Sequence, residues 1–84
     1  MVVYILYSDT LSRYYSGQTA DIKDRLVRHN QGREKSTKNG RLWRLIWHAE
    51  VPDRSEAMKL ELRIKKRGAR RFLEDLERRD QLSS

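Results

Sequence analysis

Val2-Val3-Tyr4-Ile5-Leu6-Tyr7-Ser8-Asp9-Thr10-Leu11-Ser12-Arg13-Tyr14-Tyr15-Ser16-Gly17-Gln18 is the stretch from which the rest of the chain can be read. Val2 to Tyr7 is β-branched, aliphatic or aromatic and predicts a strand. Ser8-Asp9-Thr10 supplies turn residues. Arg13 to Gln18 resumes as a second strand, and the short spacing predicts an antiparallel hairpin. Gly17 marks either a bulge or a place where something approaches the backbone closely. Tyr4 and Tyr15 then lie on neighbouring strands, where each taken singly reads as packing.

Outward from the hairpin, Thr19 or Asp21 can cap a helix running to about Asn30, with Ile22 and Leu26 as its apolar line and Asn30-Gln31-Gly32 as its stop. From Gly32 to Gly40 the chain is polar, basic and aperiodic, which predicts a loop. Leu42 to Val51 reads as a third strand, with Trp43, Leu45 and Trp47 on one face and Leu42, Ile46 and His48 on the other. Pro52-Asp53 ends it and Ser55 is the expected N-cap of the next helix. Ala57, Leu60, Glu61 and Ile64 recur at helical spacing to about Arg67, and Gly68 breaks the pattern. Ala69, Phe72, Leu73 and Leu76 predict a final helix, with Gln81 to Ser84 frayed. The order strand, strand, helix, strand, helix, helix gives a small α/β fold with helices packed on a sheet, one domain over residues 1–84 with its core at about 2–76.

With 84 residues there is room for one modest core, and with no cysteine there is no disulfide and no thiolate zinc site. The absence of cysteine fits a reducing compartment, and neither a membrane span nor a signal peptide is legible, so the expected location is cytoplasmic. Lys plus Arg number 19 against 12 Asp plus Glu, a formal charge of +7. Such a surface either keeps a small protein soluble or binds phosphate polyanions. The cations cluster, in Lys23 to Arg44 and again in Arg63 to Arg71, which favours nucleic acid. Lys35, Lys38, Arg41, Lys65 and Lys66 are the expected contacts.

A few polar residues sit where the patterns ask for core. Glu61 falls on the face of Ala57, Leu60 and Ile64. A carboxylate there must be paired with a neighbouring Arg or Lys, protonated, or bound to a metal. Arg25 and His29 are four apart, hence on one helix face, beside Ile22 and Leu26. Arg25 can clamp a phosphate or pair with Asp21 or Glu61. His29 can relay a proton, although taken alone it reads as a surface histidine. A phenol is a poor base until a cation or a metal-bound water lowers its pKa. Two phenols, a guanidinium, an imidazole and a carboxylate together suit a metal-dependent phosphodiester hydrolase, and in a chain this basic they point to a nuclease. The competing reading is a non-catalytic basic nucleic-acid-binding module.

Taken together these elements resemble the GIY-YIG nuclease superfamily, in particular small stand-alone bacterial proteins related to the nuclease subunit of Slx-type endonucleases. The first motif appears as Val3-Tyr4-Ile5, with Val in place of the leading Gly. The second is Tyr15-Ser16-Gly17, with Ser for the middle Ile. Asp21 to Asn30 is similar to the helix carrying the family's Arg and a His, here Arg25 and His29. Ser55 to Glu61 followed by Ile64-Lys65-Lys66 is similar to the helix bearing its metal-ligating Glu. The resemblance covers about residues 2 to 75. It implies a three-stranded sheet flanked by helices, a single divalent ion (Mg²⁺ or Mn²⁺) held by Glu61, and hydrolysis of DNA by Tyr15, Tyr4, Arg25 and His29. It also implies a preference for branched structure over base sequence, a role in DNA repair or recombination, and a partner protein subunit. Lys35-Ser36-Thr37-Lys38 departs from relatives that often carry an aromatic after the lysine.

Overall fold

In the computed structural model, which describes residues 1–31 and 42–82, the strand-forming stretches assemble as β1 (Val2–Ser8), β2 (Arg13–Thr19) and β3 (Trp43–Glu50). The sheet is antiparallel throughout, in the order β2-β1-β3, so the most apolar strand is central and β2 is an edge. Val51 donates its N–H to the Met1 carbonyl at 2.8 Å, extending the β1–β3 pairing past the ends of both strands. The expected loop over 32–40, with Lys35 and Lys38, lies outside the described residues, and so does Arg41.

Helices cover both faces, because β1 is apolar on both. α1 (Ile22–Asn30) lies over Tyr4 and Leu6 with Ile22 and Leu26. α2 (Arg54–Arg67) and α3 (Ala69–Leu82) cover Val3 and Ile5, with Ala57 and Ile64 buried and Leu60, Phe72 and Leu73 packed around them. The order strand, strand, helix, strand, helix, helix is the one read from the sequence.

Asp21, of the two residues weighed, caps α1, its side chain accepting from the Asp24 N–H at 3.1 Å. Thr19 instead exchanges hydrogen bonds with the Asp21 backbone, both at 3.2 Å. At α2 the expected cap is corrected: Asp53, not Ser55, accepts from the Glu56 N–H at 2.9 Å. Asp53 followed by Glu56 is the spacing of a capping box, a signal that Ser55, followed by Met58, lacks. Gly68 ends α2 at φ 89°, a conformation a side chain would strain, and its N–H bonds to the Ile64 carbonyl at 2.8 Å. α3 follows at once and runs to Leu82; the last two residues of the expected frayed end, 83–84, lie outside the described residues.

The faces of β3 also need correction. Ile5 pairs with Trp47 but Leu6 pairs with Leu45, so one extra residue, Ile46, is inserted. A one-residue bulge reverses the side chains beyond it. Trp43 and Leu45 therefore join Tyr4 and Leu6 beneath α1, whereas Trp47 turns to the other face and meets Phe72 edge-on at 5.1 Å. By register His48 stands opposite Tyr4, so it shares the face of Trp43 and not the opposite one.

Candidate active site

The α1 face of the sheet carries the polar residues singled out above. Tyr4 is central on β1 and only 2 % exposed. Its hydroxyl is 3.0 Å from His29 Nε2. His29 is itself buried, which corrects the surface reading: the last turn of α1 turns it inward onto the two phenols. Tyr15 on β2 is half-buried, its ring centroid 4.9 Å from His29, 6.3 Å from Tyr4 and 6.3 Å from Trp43. The structure thus brings Tyr4, Tyr15 and His29 into one cluster, with Tyr15 the phenol that retains access to solvent.

Gly17 makes this arrangement possible. It pairs directly with Tyr4, and a Cβ built there would lie 2.7 Å from the Tyr4 hydroxyl and 2.9 Å from Cζ. The close approach signalled by the glycine is that of the Tyr4 ring itself. Asn30, which the sequence marks only as a helix stop, also positions the cluster. The Trp43 N–H donates to Asn30 Oδ1 at 2.6 Å and Asn30 Nδ2 donates to the Trp43 carbonyl at 3.3 Å. This strand-like exchange ties the end of α1 to the start of β3 and seats Trp43 beside Tyr15.

Arg25, one turn before His29, is half-buried and lines a cleft of about 570 Å³ between the starts of α1 and α2. Gln18, Thr19, Arg28, Arg54 and Met58 also line it. Gln18, Arg54 and Met58 escaped the sequence reading because the cleft forms only when two helix starts meet the end of β2. A weak signal existed at Arg54: a cation in the first turn of a helix opposes the helix dipole and calls for a reason. Arg28 in the cleft is paired with Asp24 at 3.1 Å.

Glu61 is on α2, whose buried Ala57 and Ile64 pack with Val3 and Ile5 on the sheet face opposite Tyr4 and Tyr15. It follows Ala57 and Met58 by one turn, between the buried stripe and the residues lining the cleft. Its side chain is 18 % exposed and accepts an ion pair from Lys65 Nζ at 3.3 Å. The alternative of a basic partner is therefore realised, with the carboxylate still reaching solvent. Among the described residues no group of three or more His, Asp or Glu side chains forms a metal site. A lone carboxylate does fit Mg²⁺, which keeps several waters and takes other ligands from substrate phosphates.

Lys66 faces away from this region, lining a hollow of about 450 Å³ at the α2–α3 corner with Arg63, Arg67, Phe72 and Asp75. There Arg67 donates twice to Asp75, at 2.8 and 3.1 Å. These bonds, chiefly, hold the Asp75 carboxyl below its ordinary range, and they raise the Arg67 pKa further above its own. No helix among the described residues is long and apolar enough to cross a membrane.

A family profile described as the GIY-YIG catalytic domain matches residues 1–73. A UPF0213 protein of Yersinia enterocolitica is 38 % identical over 61 residues, covering 71 % of this chain and 63 % of the relative. A UPF0213 protein of Yersinia pestis is 40 % identical over 52 residues, covering 61 % of this chain and 55 % of the relative, and one of Yersinia pseudotuberculosis aligns to the same extent. The matched segment thus spans little more than half to under two thirds of those relatives. No solved structure matches the chain.

Proposed function

The chain belongs to the GIY-YIG family, a family of nucleases, and on that premise we propose that it is a divalent-metal-dependent DNA endonuclease. The reading rests on one observation. The half-buried Tyr15 ring lies 4.9 Å from the His29 ring at a tilt of 60°, and the buried Tyr4 hydroxyl is 3.0 Å from His29 Nε2.

In this reading Tyr15 positions the attacking water and takes its proton. Water adds in line to phosphorus, the bond to the 3′ oxygen breaks, and the products are a 5′-phosphate and a 3′-hydroxyl. Arg25 stabilises the negative charge gathering on the phosphate oxygens. His29 fixes the phenol it faces, and Tyr4, too buried to meet substrate, positions His29. Glu61 is the residue that would hold a single Mg²⁺ or Mn²⁺. Such an ion, when bound, polarises a phosphate oxygen and stabilises the leaving one. Lys65 and Lys66, with Lys35, Lys38 and Arg41, would hold the DNA backbone.

The domain is taken as one unit over residues 1–84 working in the cytoplasm. A surface this small reads structure better than sequence, so branched DNA arising in repair or recombination is the proposed substrate, with a partner subunit assisting its choice. Glu61→Ala is expected to lower cleavage of labelled branched DNA by about a hundred- to a thousand-fold in Mg²⁺ or Mn²⁺ while leaving binding intact. Equal cleavage by the variant would sink the assignment. One observation favours the rival, a binding module without catalysis: Glu61 is already paired with Lys65. That reading expects salt-sensitive DNA binding and no metal-dependent product.

A further inference from the structure

The geometry points to a base-stacking platform at the hairpin end of the sheet, where Tyr14, Tyr7 and Arg44 receive an unpaired nucleobase beside the cleaved phosphate. The substrate class rests on the nuclease reading above; the platform itself rests on a separate set of residues. Three side chains form one row across the whole sheet. Tyr14 on β2 pairs with Tyr7 on β1, and Tyr7 pairs in turn with Arg44 on β3. The two rings are 4.9 Å apart at 58°, and the Arg44 guanidinium lies 5.8 Å from the Tyr7 centroid.

Neither tyrosine belongs to the apolar cluster under α1 or to the one under α2 and α3. Tyr14 is 38 % exposed. Cross-strand packing explains why the rings touch each other. It does not explain the charge arrangement around them. Asp9 accepts from Arg44 at 3.0 Å, so the row joins two phenol rings and a planar guanidinium with little net charge. A nucleobase stacks on such a surface, whereas a phosphate seeks uncompensated cations.

The cation for the phosphate lies next door. Arg13, immediately before Tyr14, is exposed and has no ion-pair partner among the described residues. Alternation along β2 puts Arg13 and Tyr15 on one face and Tyr14 on the other. Because β2 is an edge, both faces are within reach of one ligand strand. Nucleic acid following this edge sets its phosphates toward Arg13 and Tyr15 while a splayed base reaches Tyr14. A base inside a duplex has both faces covered by its neighbours. The platform therefore selects DNA with an unpaired nucleotide next to the cut, at a single-stranded tail or a branch point.

The test uses the whole chain and a forked duplex, titrated without divalent metal, with one abasic residue moved along the single-stranded arm. At one position near the junction, removing the base should weaken wild-type binding by about tenfold, the scale of one base–aromatic stack. Tyr14→Ala should bind the intact fork that much more weakly and lose the position dependence, while Tyr14→Phe keeps it. A flat abasic profile in the wild type, or the same profile in Tyr14→Ala, overturns the platform. Cleavage of the same fork separates the two readings. A flat profile with cutting that Glu61→Ala abolishes removes the platform and keeps the nuclease. A base-dependent profile with no metal-dependent cutting keeps the platform and removes the nuclease.

Discussion

The two faces of the sheet use alternate residues of one strand, yet they are held in different ways. On the α2–α3 side, Val3, Ile5, Ala57 and Ile64 are fully buried and purely apolar. On the α1 side, Tyr4 and Leu6 are buried beside His29 and Trp43, and the cohesion includes the Tyr4–His29 bond and the Asn30–Trp43 clamp. Burial of hydrocarbon is strong but indifferent to orientation, whereas hydrogen bonds and ring edges fix where atoms point. The first face supplies stability and the second supplies geometry.

The largest effect should come from breaking the first face. Ile64→Ala leaves a cavity under the sheet and should cost about 2–5 kcal/mol in urea denaturation. Cleavage per folded molecule should stay at the wild-type level. A loss beyond the folded fraction would mean that the two faces are not separable.

Gly17→Ala probes the second face. The added methyl would stand 2.7 Å from the Tyr4 hydroxyl, too close for either to remain in place. Overpacking of this kind should cost about 1–3 kcal/mol. Because the ring that moves holds His29, cleavage should fall more than stability explains. A stable, fully active variant would show that Tyr4 does not set the site. Tyr4→Phe is the gentler form of the same question. It removes the oxygen that meets His29 Nε2 and keeps the ring, at about 1–2 kcal/mol, the lower part of the cost of a lost buried polar partner. The His29 ring NMR signals should shift, and cutting should slow less than in Gly17→Ala.

The elements of both faces were legible because each carries a strong pattern or a clear breaker: the unbroken β-branched, aliphatic and aromatic run in Val2 to Tyr7, helical recurrence through Ala57 and Ile64, and Gly68 at the α2–α3 corner. Family membership was legible in the order of Tyr4, Tyr15, Arg25 and Glu61. The bulge at Ile46 was not, because no Gly announces it and strict alternation is the only rule available for such a run. That single inserted residue sends Trp47 to the apolar face and leaves Trp43 with the tyrosines. His29 could not be assigned a buried place either, since a helix position becomes interior only when a distant phenol lies across it. The cleft lined by Arg25 and Arg54 was invisible for the same reason: its walls are far apart in sequence.

The smallest effect sharpens the contrast by testing a polar contact on the outside of the apolar side. Arg67 and Asp75 bridge α2 and α3, but their side chains are 51 % and 41 % exposed, so solvent and salt screen the pair. Hydrogen bonds from Arg67 depress the Asp75 pKa in the folded state. A depressed carboxyl stabilises the fold above its unfolded pKa, and that stabilisation is lost as pH falls through the folded value. Asp75→Asn should therefore lower the melting temperature slightly near neutral pH. The gap from wild type should close in acid and shrink at high salt, with cleavage unchanged. A gap that persists in acid would make this contact one of shape and not of charge, and the corner would then resemble the Tyr4–His29 contact more than its own apolar surroundings.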